Sequence, residues 1–297
     1  MKIGYPCLNR SLDCRVNQGF RLANLEPKRL TETIAANLKC LESMIRFNTA
    51  HGLLFLRISS DLIPFGSHAA NRIDWRSQFR DHLSGLDDLL KQNQFRISMH
   101  PGQYTLLNSP SEEVVTNSVR DLNYHADVLD LLGLDASAKI QLHIGGRYGD
   151  PAAALKRFVV NFNNLEERVR RRLVIENDER LYALADVIAV YERTGAPVLF
   201  DVFHHSVLNR GESLHQALEI SRKTWRAADG LPMVDYSSQL IDGKIGAHAQ
   251  HLDEGHFVEF LNASRPYNFD LMLEIKDKET SALRALKVAA ADTRLVC

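Results

Sequence analysis

Short apolar runs alternate with longer amphipathic segments along the whole chain. Eight runs read as strands, at residues 2–5, 53–58, 95–99, 139–142, 173–175, 198–200, 231–234 and 271–273. They are short and mainly apolar, which is the pattern of a parallel strand covered on both faces. The segments between them step by three or four. The clearest stripe is Val115, Val119, Leu122, Ala126, Leu129 and Leu132, one buried helix face. Further helical patterns cover residues 27–47, 75–91, 152–170, 181–193, 214–225 and 254–261. Eight strands alternating with helices predict an α/β fold, a (β/α)₈ TIM barrel, with a doubly wound open sheet as the runner-up. No internal repeat, low-complexity tract or linker interrupts the pattern, so residues 1–297 are expected to form a single domain.

The runs end in a consistent way. Five stop at a residue that can bind a metal: His100, His143, Glu176, Asp201 and Glu274. On parallel strands these side chains converge at the carboxyl end of the sheet, where α/β proteins keep their chemistry. Asp201-Val202-Phe203-His204 adds an imidazole three residues after its carboxylate, and Met233-Val234-Asp235 adds a carboxylate after the seventh strand. Mixed imidazole and carboxylate ligands suit Mn²⁺, Zn²⁺ or Fe²⁺. Of the other histidines, His51, His82, His125 and His215 are expected at the surface, and His248, His251 and His256 are open between site and solvent.

Composition narrows the picture modestly. Hydrophobic residues make up 45% and charged residues 25%, ordinary globular usage, and the formal charge of −1 gives no global basic field. Any nucleic-acid contact must come from a local patch. Cys7, Cys14, Cys40 and Cys297 form no C-x-x-C pair and no secreted framework, which fits a reducing cytosol. No apolar stretch approaches the ~20 residues of a membrane span, and no leader pattern opens the chain. The expectation is a cytoplasmic protein with no membrane contact and no obligate protein partner.

Local motifs suggest a substrate surface. His100-Pro101-Gly102-Gln103-Tyr104 turns out of the third strand and projects Gln103 and Tyr104 from the mouth, an amide beside an aromatic that suits a nucleobase. Arg10, Arg15 and Arg21 lie in the first loop, at the edge of the same mouth, where they could hold phosphates or be solvated. Arg168 and Arg170-Arg171-Arg172 precede the fifth strand, at the opposite face, and read as a solvated helix end.

With these residues in this order, the chain resembles the UV damage endonuclease family of metal-dependent TIM-barrel DNA repair enzymes. The resemblance rests on Gly4-Tyr5-Pro6-Cys7-Leu8-Asn9, His100-Pro101-Gly102-Gln103-Tyr104, His143-Ile144-Gly145-Gly146, Ile175-Glu176-Asn177-Asp178 and Asp201-Val202-Phe203-His204-His205. It implies nicking of UV-damaged double-stranded DNA immediately 5′ to the photoproduct, with up to three divalent ions, manganese favoured over zinc or magnesium. It implies His68, His100, His143, Glu176, Asp201, His204, His248 and Glu274 as ligands, with Asp235 able to stand where many members carry a histidine. Glu176 and Glu274 take the catalytic role, and Tyr5, Asn9, Arg10, Gln103 and Tyr104 contact DNA or the lesion. This chain departs from the family at Met233, which replaces a lysine open to carboxylation and cannot supply a carbamate oxygen. Two rival readings are a metal-dependent barrel sugar isomerase and a non-catalytic DNA-lesion binder.

Overall fold

A computed structural model describes residues 1–296; Cys297 lies outside the described residues. Eight parallel strands close into a barrel in chain order: β1 (Ile3–Pro6), β2 (Phe55–Ile58), β3 (Arg96–Met99), β4 (Lys139–His143), β5 (Leu173–Glu176), β6 (Val198–Asp201), β7 (Met233–Tyr236) and β8 (Asp270–Leu273), with β8 pairing back to β1. All eight lie within one to two residues of the runs read from the sequence. The shift matters in β7, where Asp235 falls inside the strand. The fold is the TIM barrel expected, not the open sheet.

The barrel interior is stratified along its axis. Phe55, Val174, Leu199, Met233 and Met272 form a buried apolar layer of their own. Side chains two residues apart on a strand share a face, so Arg57, Glu176, Asp201, Asp235 and Glu274 stand one step above that layer, toward the carboxyl ends. At the amino ends Lys139 meets Asp229 at 2.5 Å and Arg96 approaches Asp270 at 3.7 Å, with the Trp225 ring near both cations. Met233 therefore packs in the apolar layer, below the polar end.

The helices cover the outside of the barrel. The helix Glu112–Leu131 buries Leu122, Ala126 and Leu129 as the stripe predicts, and Ser111 caps its start by accepting from the Val114 amide. His125 lies on this same face. It is fully buried, with Nε2 2.9 Å from Ser60 Oγ, so it is not the surface residue expected. Residues 75–91, expected as one helix, form three: Trp75–Gln78, Arg80–Ser84 and Asp87–Gln92. The backbone leaves helical geometry at Phe79 and turns again at Gly85, which lets Trp75, Leu83 and Leu90 each reach the core. The segment 152–170 likewise divides into Pro151–Asn163 and Glu167–Arg170. The last helix, Glu279–Val288, was not expected. Its buried face carries Glu279 and Ser281 beside Ala282 and Ala285, which hides the apolar stripe.

Two further readings change. A disulfide joins Cys14 in the first loop to Cys40 on the helix Pro27–His51, against the reduced cysteines expected; 26 residues separate them, so no short motif announces the pair. The basic run before β5 is only partly solvated. Arg172 is 1% exposed, pairs with Asp130 at 2.6 Å, and donates to the carbonyls of Leu134, Asp135 and Ala138. Arg168 is tied to Asp127, Glu166 and Asn123. Arg172→Ala is expected to cost roughly 2–4 kcal/mol, because it leaves several acceptors without a donor. Urea unfolding monitored by circular dichroism checks this, and a loss below about 1 kcal/mol would contradict it.

Candidate metal centre

The polar end of the barrel is built around Glu176. The last residue of β5 points inward one step above Val174, and the carboxylate is 1% exposed. Its Oε2 lies 3.5 Å from His100 Nε2 and 3.3 Å from His143 Nε2, while Oε1 lies 3.1 Å from His204 Nδ1. Burial alone would raise its pKa, but the three imidazoles hold it well below the ordinary carboxylate value. Burial lowers the pKa of His143, opposed by the Glu176 carboxylate.

Local folding presents each partner. β6 ends at Asp201, whose Oδ1 accepts from the His204 amide at 2.6 Å and caps the short helix Val202–Val207. That cap brings His204 back over the barrel mouth. Asn177 braces the junction: it donates to the Asp201 carbonyl, accepts from the Asp201 amide, and its own carbonyl lies 3.0 Å from His204 Nδ1. Burial works against charge on His204, yet Asp201 and Glu176 outweigh it and raise its pKa to about 11. Burial raises the pKa of Asp201. After His143 the chain turns at Gly145, φ +105°, where any side chain would strike Asn108.

A second group of carboxylates lies beside the first. Asp201, Asp235 and Glu274 bring oxygens within 4.8 Å of one another, as do the atoms of His100, His143 and Glu176 and those of Glu176, Asp201 and His204. Asp235 is fully buried; burial raises its pKa, opposed by Arg57, and leaves it at about 8. Glu274 also resists burial through Arg57 and His248, and sits at about 2. His248 joins the edge of the centre, with Nδ1 2.8 Å from the Glu274 carbonyl and its ring 5.8 Å from that of His204.

The donor set fits divalent cations. Asp201 Oδ2 and His143 Nδ1 are buried with no hydrogen-bond partner, and buried polar atoms in such a state call for a ligand; Asp235 Oδ1 is also without a partner, but its Oδ2 already pairs with Arg57. The other expected ligand, His68, stands apart. It is exposed, its Nδ1 accepts from the Ala70 amide, and it lines a cavity of about 680 Å³ that also reaches His100 and Tyr104.

The expected DNA-contacting residues divide into two groups. Gln103 and Tyr104 project from the lip after β3, Tyr104 being 80% exposed, and Gln103 lines a cavity of about 350 Å³ with His100, His143, Asp178 and Leu181. Arg10 is exposed in the first loop. Tyr5 and Asn9 are instead inside the wall: the Tyr5 hydroxyl donates to Asn48 and accepts from Asn9, and both side chains are buried. They face the helix layer because Tyr5 alternates with the inward position of Gly4.

Two polar residues at this end were missed. Arg57 on β2 and Gln141 on β4 both sit inside otherwise apolar runs, and their inward direction becomes visible only with the strand register. Gln141 donates to Asp235 at 2.7 Å and to Glu176, so it fixes the orientation of both carboxylates.

Comparison with known proteins gives a consistent result. A family model described as UV-endonuclease UvdE matches residues 2–295. The UV DNA damage endonuclease of Clostridium perfringens is 38% identical over 288 residues, covering 96% of this chain and 70% of that one. The crystal structure of SacUVDE superposes with a TM-score of 0.95 at 42% identity, over 99% of this chain and 100% of that one. D-psicose 3-epimerase from Clostridium cellulolyticum H10 superposes at 0.57 with 13% identity over 100% of both chains, a likeness that extends to the barrel alone.

Proposed function

The chain belongs to the UV-endonuclease UvdE family, and from that premise we propose an enzyme that hydrolyses the backbone of double-stranded DNA immediately 5′ to a UV photoproduct. It is a DNA repair endonuclease of the UV-damage type. The observation that carries the finer reading is the double use of Glu176, with one oxygen facing His100 and His143 and the other facing His204. His100, His143, Glu176, Asp201 and His204 would hold divalent cations there, with Glu274 and His248 at the edge. Divalent ions there supply Lewis acidity, which makes water available as a nucleophile near neutral pH and offsets phosphate charge. Manganese suits the mixed nitrogen and oxygen donors.

The remaining residues position the substrate. Asp201 and Asn177 hold His204 in place, and Gln141 orients Glu176, so the centre is rigid before DNA arrives. Gln103 and Tyr104 stand at the lip, where an amide and an aromatic ring probe an unstacked lesion, and the adjoining 350 Å³ cavity receives displaced bases. Arg10 contacts backbone phosphate. With strands β2 to β8 each delivering polar side chains to one mouth, the barrel acts as one catalytic domain.

The direct test is a nicking assay on a duplex carrying one defined photoproduct, with each divalent metal in turn. Cleavage 5′ to the lesion, strongest with Mn²⁺, is expected; cleavage elsewhere or none with any metal overturns the reading. Loss of both lip side chains has a separate signature. The double variant Gln103→Ala/Tyr104→Ala is expected to bind the lesion duplex about 10- to 100-fold more weakly, from stacking worth about 1–3 kcal/mol per base. Its metal content should not change. Fluorescence anisotropy at fixed salt measures the loss, and unchanged affinity removes these residues from the lesion contact.

A further inference from the structure

Arg57 sits among the carboxylates expected to hold metal. It is 2% exposed, one guanidinium nitrogen lies 2.6 Å from Asp235 Oδ2, and the other donates to Glu274. Its path across the barrel is open because the flanking positions are small or rigid: Pro6 pairs with it on β1 and Ser98 on β3. The apolar layer at Phe55 supports it from below. One Asp235 oxygen, Oδ2, accepts from both Arg57 and Gln141, while Oδ1 is buried with no hydrogen-bond partner.

We infer that Arg57 is a built-in cation that takes the place of a metal ion between Asp235 and Glu274, so that this centre loads two divalent ions and not three. The inference rests on the metal-dependent reading above and assigns the charge within it. Two of the three ligand groups contain imidazoles, and the third, Asp201, Asp235 and Glu274, consists of carboxylates alone. Two members of that third group already carry the guanidinium. An ion entering there would face a fixed positive charge at close range in a dry site, where such repulsion is weakly screened.

Charge balance favours the same assignment. The polar end holds four carboxylates from the strand ends, Glu176, Asp201, Asp235 and Glu274, and one guanidinium, with Glu179 at the rim 3.7 Å from His204 Nε2. Two divalent ions bring this group close to neutrality, and a third would leave an excess of positive charge in the chain before any substrate phosphate arrives. Arg57 also fits the other unusual residue of this wall. A methionine at 233 offers no oxygen to a metal, and the Met233 side chain packs below in the apolar layer. Arginine keeps its charge at any working pH, so this cation is permanent where an ion would exchange.

The test measures metal stoichiometry. Chelator-stripped protein is reloaded with Mn²⁺, desalted and analysed by inductively coupled plasma mass spectrometry. Wild type is expected to retain two equivalents per chain, and Asp235→Asn is expected to retain two as well, because Arg57 still occupies the space between positions 235 and 274. Arg57→Met should gain a third equivalent, which the double variant Arg57→Met/Asp235→Asn loses again. Three equivalents in wild type, or a drop to one in Asp235→Asn, overturns the inference. The Asp235→Asn result decides the matter if Arg57→Met does not fold. Nicking of a photoproduct duplex by the same wild-type sample separates the two readings. Three equivalents with nicking defeats the role of Arg57 alone, whereas two equivalents without nicking defeats the endonuclease mechanism and leaves that role standing.

Discussion

Glu176→Gln is expected to lower the rate of nicking of UV-irradiated duplex DNA by roughly 10³-fold or more, about 4 kcal/mol of lost transition-state stabilisation. Binding of the lesion should remain measurable. The size follows from how much of the centre meets on this one side chain. Its two oxygens face three imidazoles at 3.1–3.5 Å, and Gln141 also donates to it. An amide keeps the shape but removes the charge, and it turns an NH₂ donor toward imidazole nitrogens or the Gln141 amide. The contacts on both sides of this carboxylate are therefore lost together. Gln103, Tyr104 and Arg10, the proposed DNA contacts, lie outside it, so DNA affinity is expected to persist. Single-turnover nicking of a defined photoproduct, with anisotropy on the same duplex, measures the two effects separately. A variant that cleaves at the wild-type rate would remove Glu176 from the chemistry.

The sequence carried the barrel and most of its polar end because both depend on one regularity. Strands buried on both faces have to be apolar, so a histidine or carboxylate that ends such a run is conspicuous, as at His100, His143, Glu176, Asp201 and Glu274. Polar residues within a run carry no such mark. Arg57 and Gln141 read as minor interruptions of their strands, and only the closed register shows that they point inward at carboxylates from β5, β7 and β8. Tyr5 and Asn9 illustrate the reverse: a motif that lies next to the mouth in sequence turns its side chains into the helix layer. The buried polar face of the helix Glu279–Val288, the burial of His125 behind Ser60, and the Cys14–Cys40 disulfide share one cause. Each depends on a contact between segments far apart in the chain, which local periodicity cannot report.

Loading with Mn²⁺ is expected to raise the melting temperature of the chelator-stripped protein by roughly 8 °C, and this gain should grow with pH between 6 and 9. The first part follows from mass action: an ion present at 1,000 times its Kd adds about 4 kcal/mol to the folded state, at about 2 °C per kcal/mol for a chain of this length. The second part follows from His204. Its pKa of about 11 in the metal-free chain lies far above the ~6.5 of an unfolded histidine. The stability it contributes is thus full below pH ~6.5 and declines as pH rises toward 11. A metal ligand must be neutral imidazole, so an ion has to displace this proton. Binding releases one proton from the Asp201–His204 pair, and affinity rises up to tenfold per pH unit while the pair stays protonated. Above pH ~6.5 the metal-free chain accordingly loses stability while that of the loaded chain stays nearly level, and the difference in melting temperature widens. Calorimetry in buffers of different ionisation enthalpy should return one proton released per chain at pH 7. A pH-independent gain with no buffer dependence would show that His204 binds no ion.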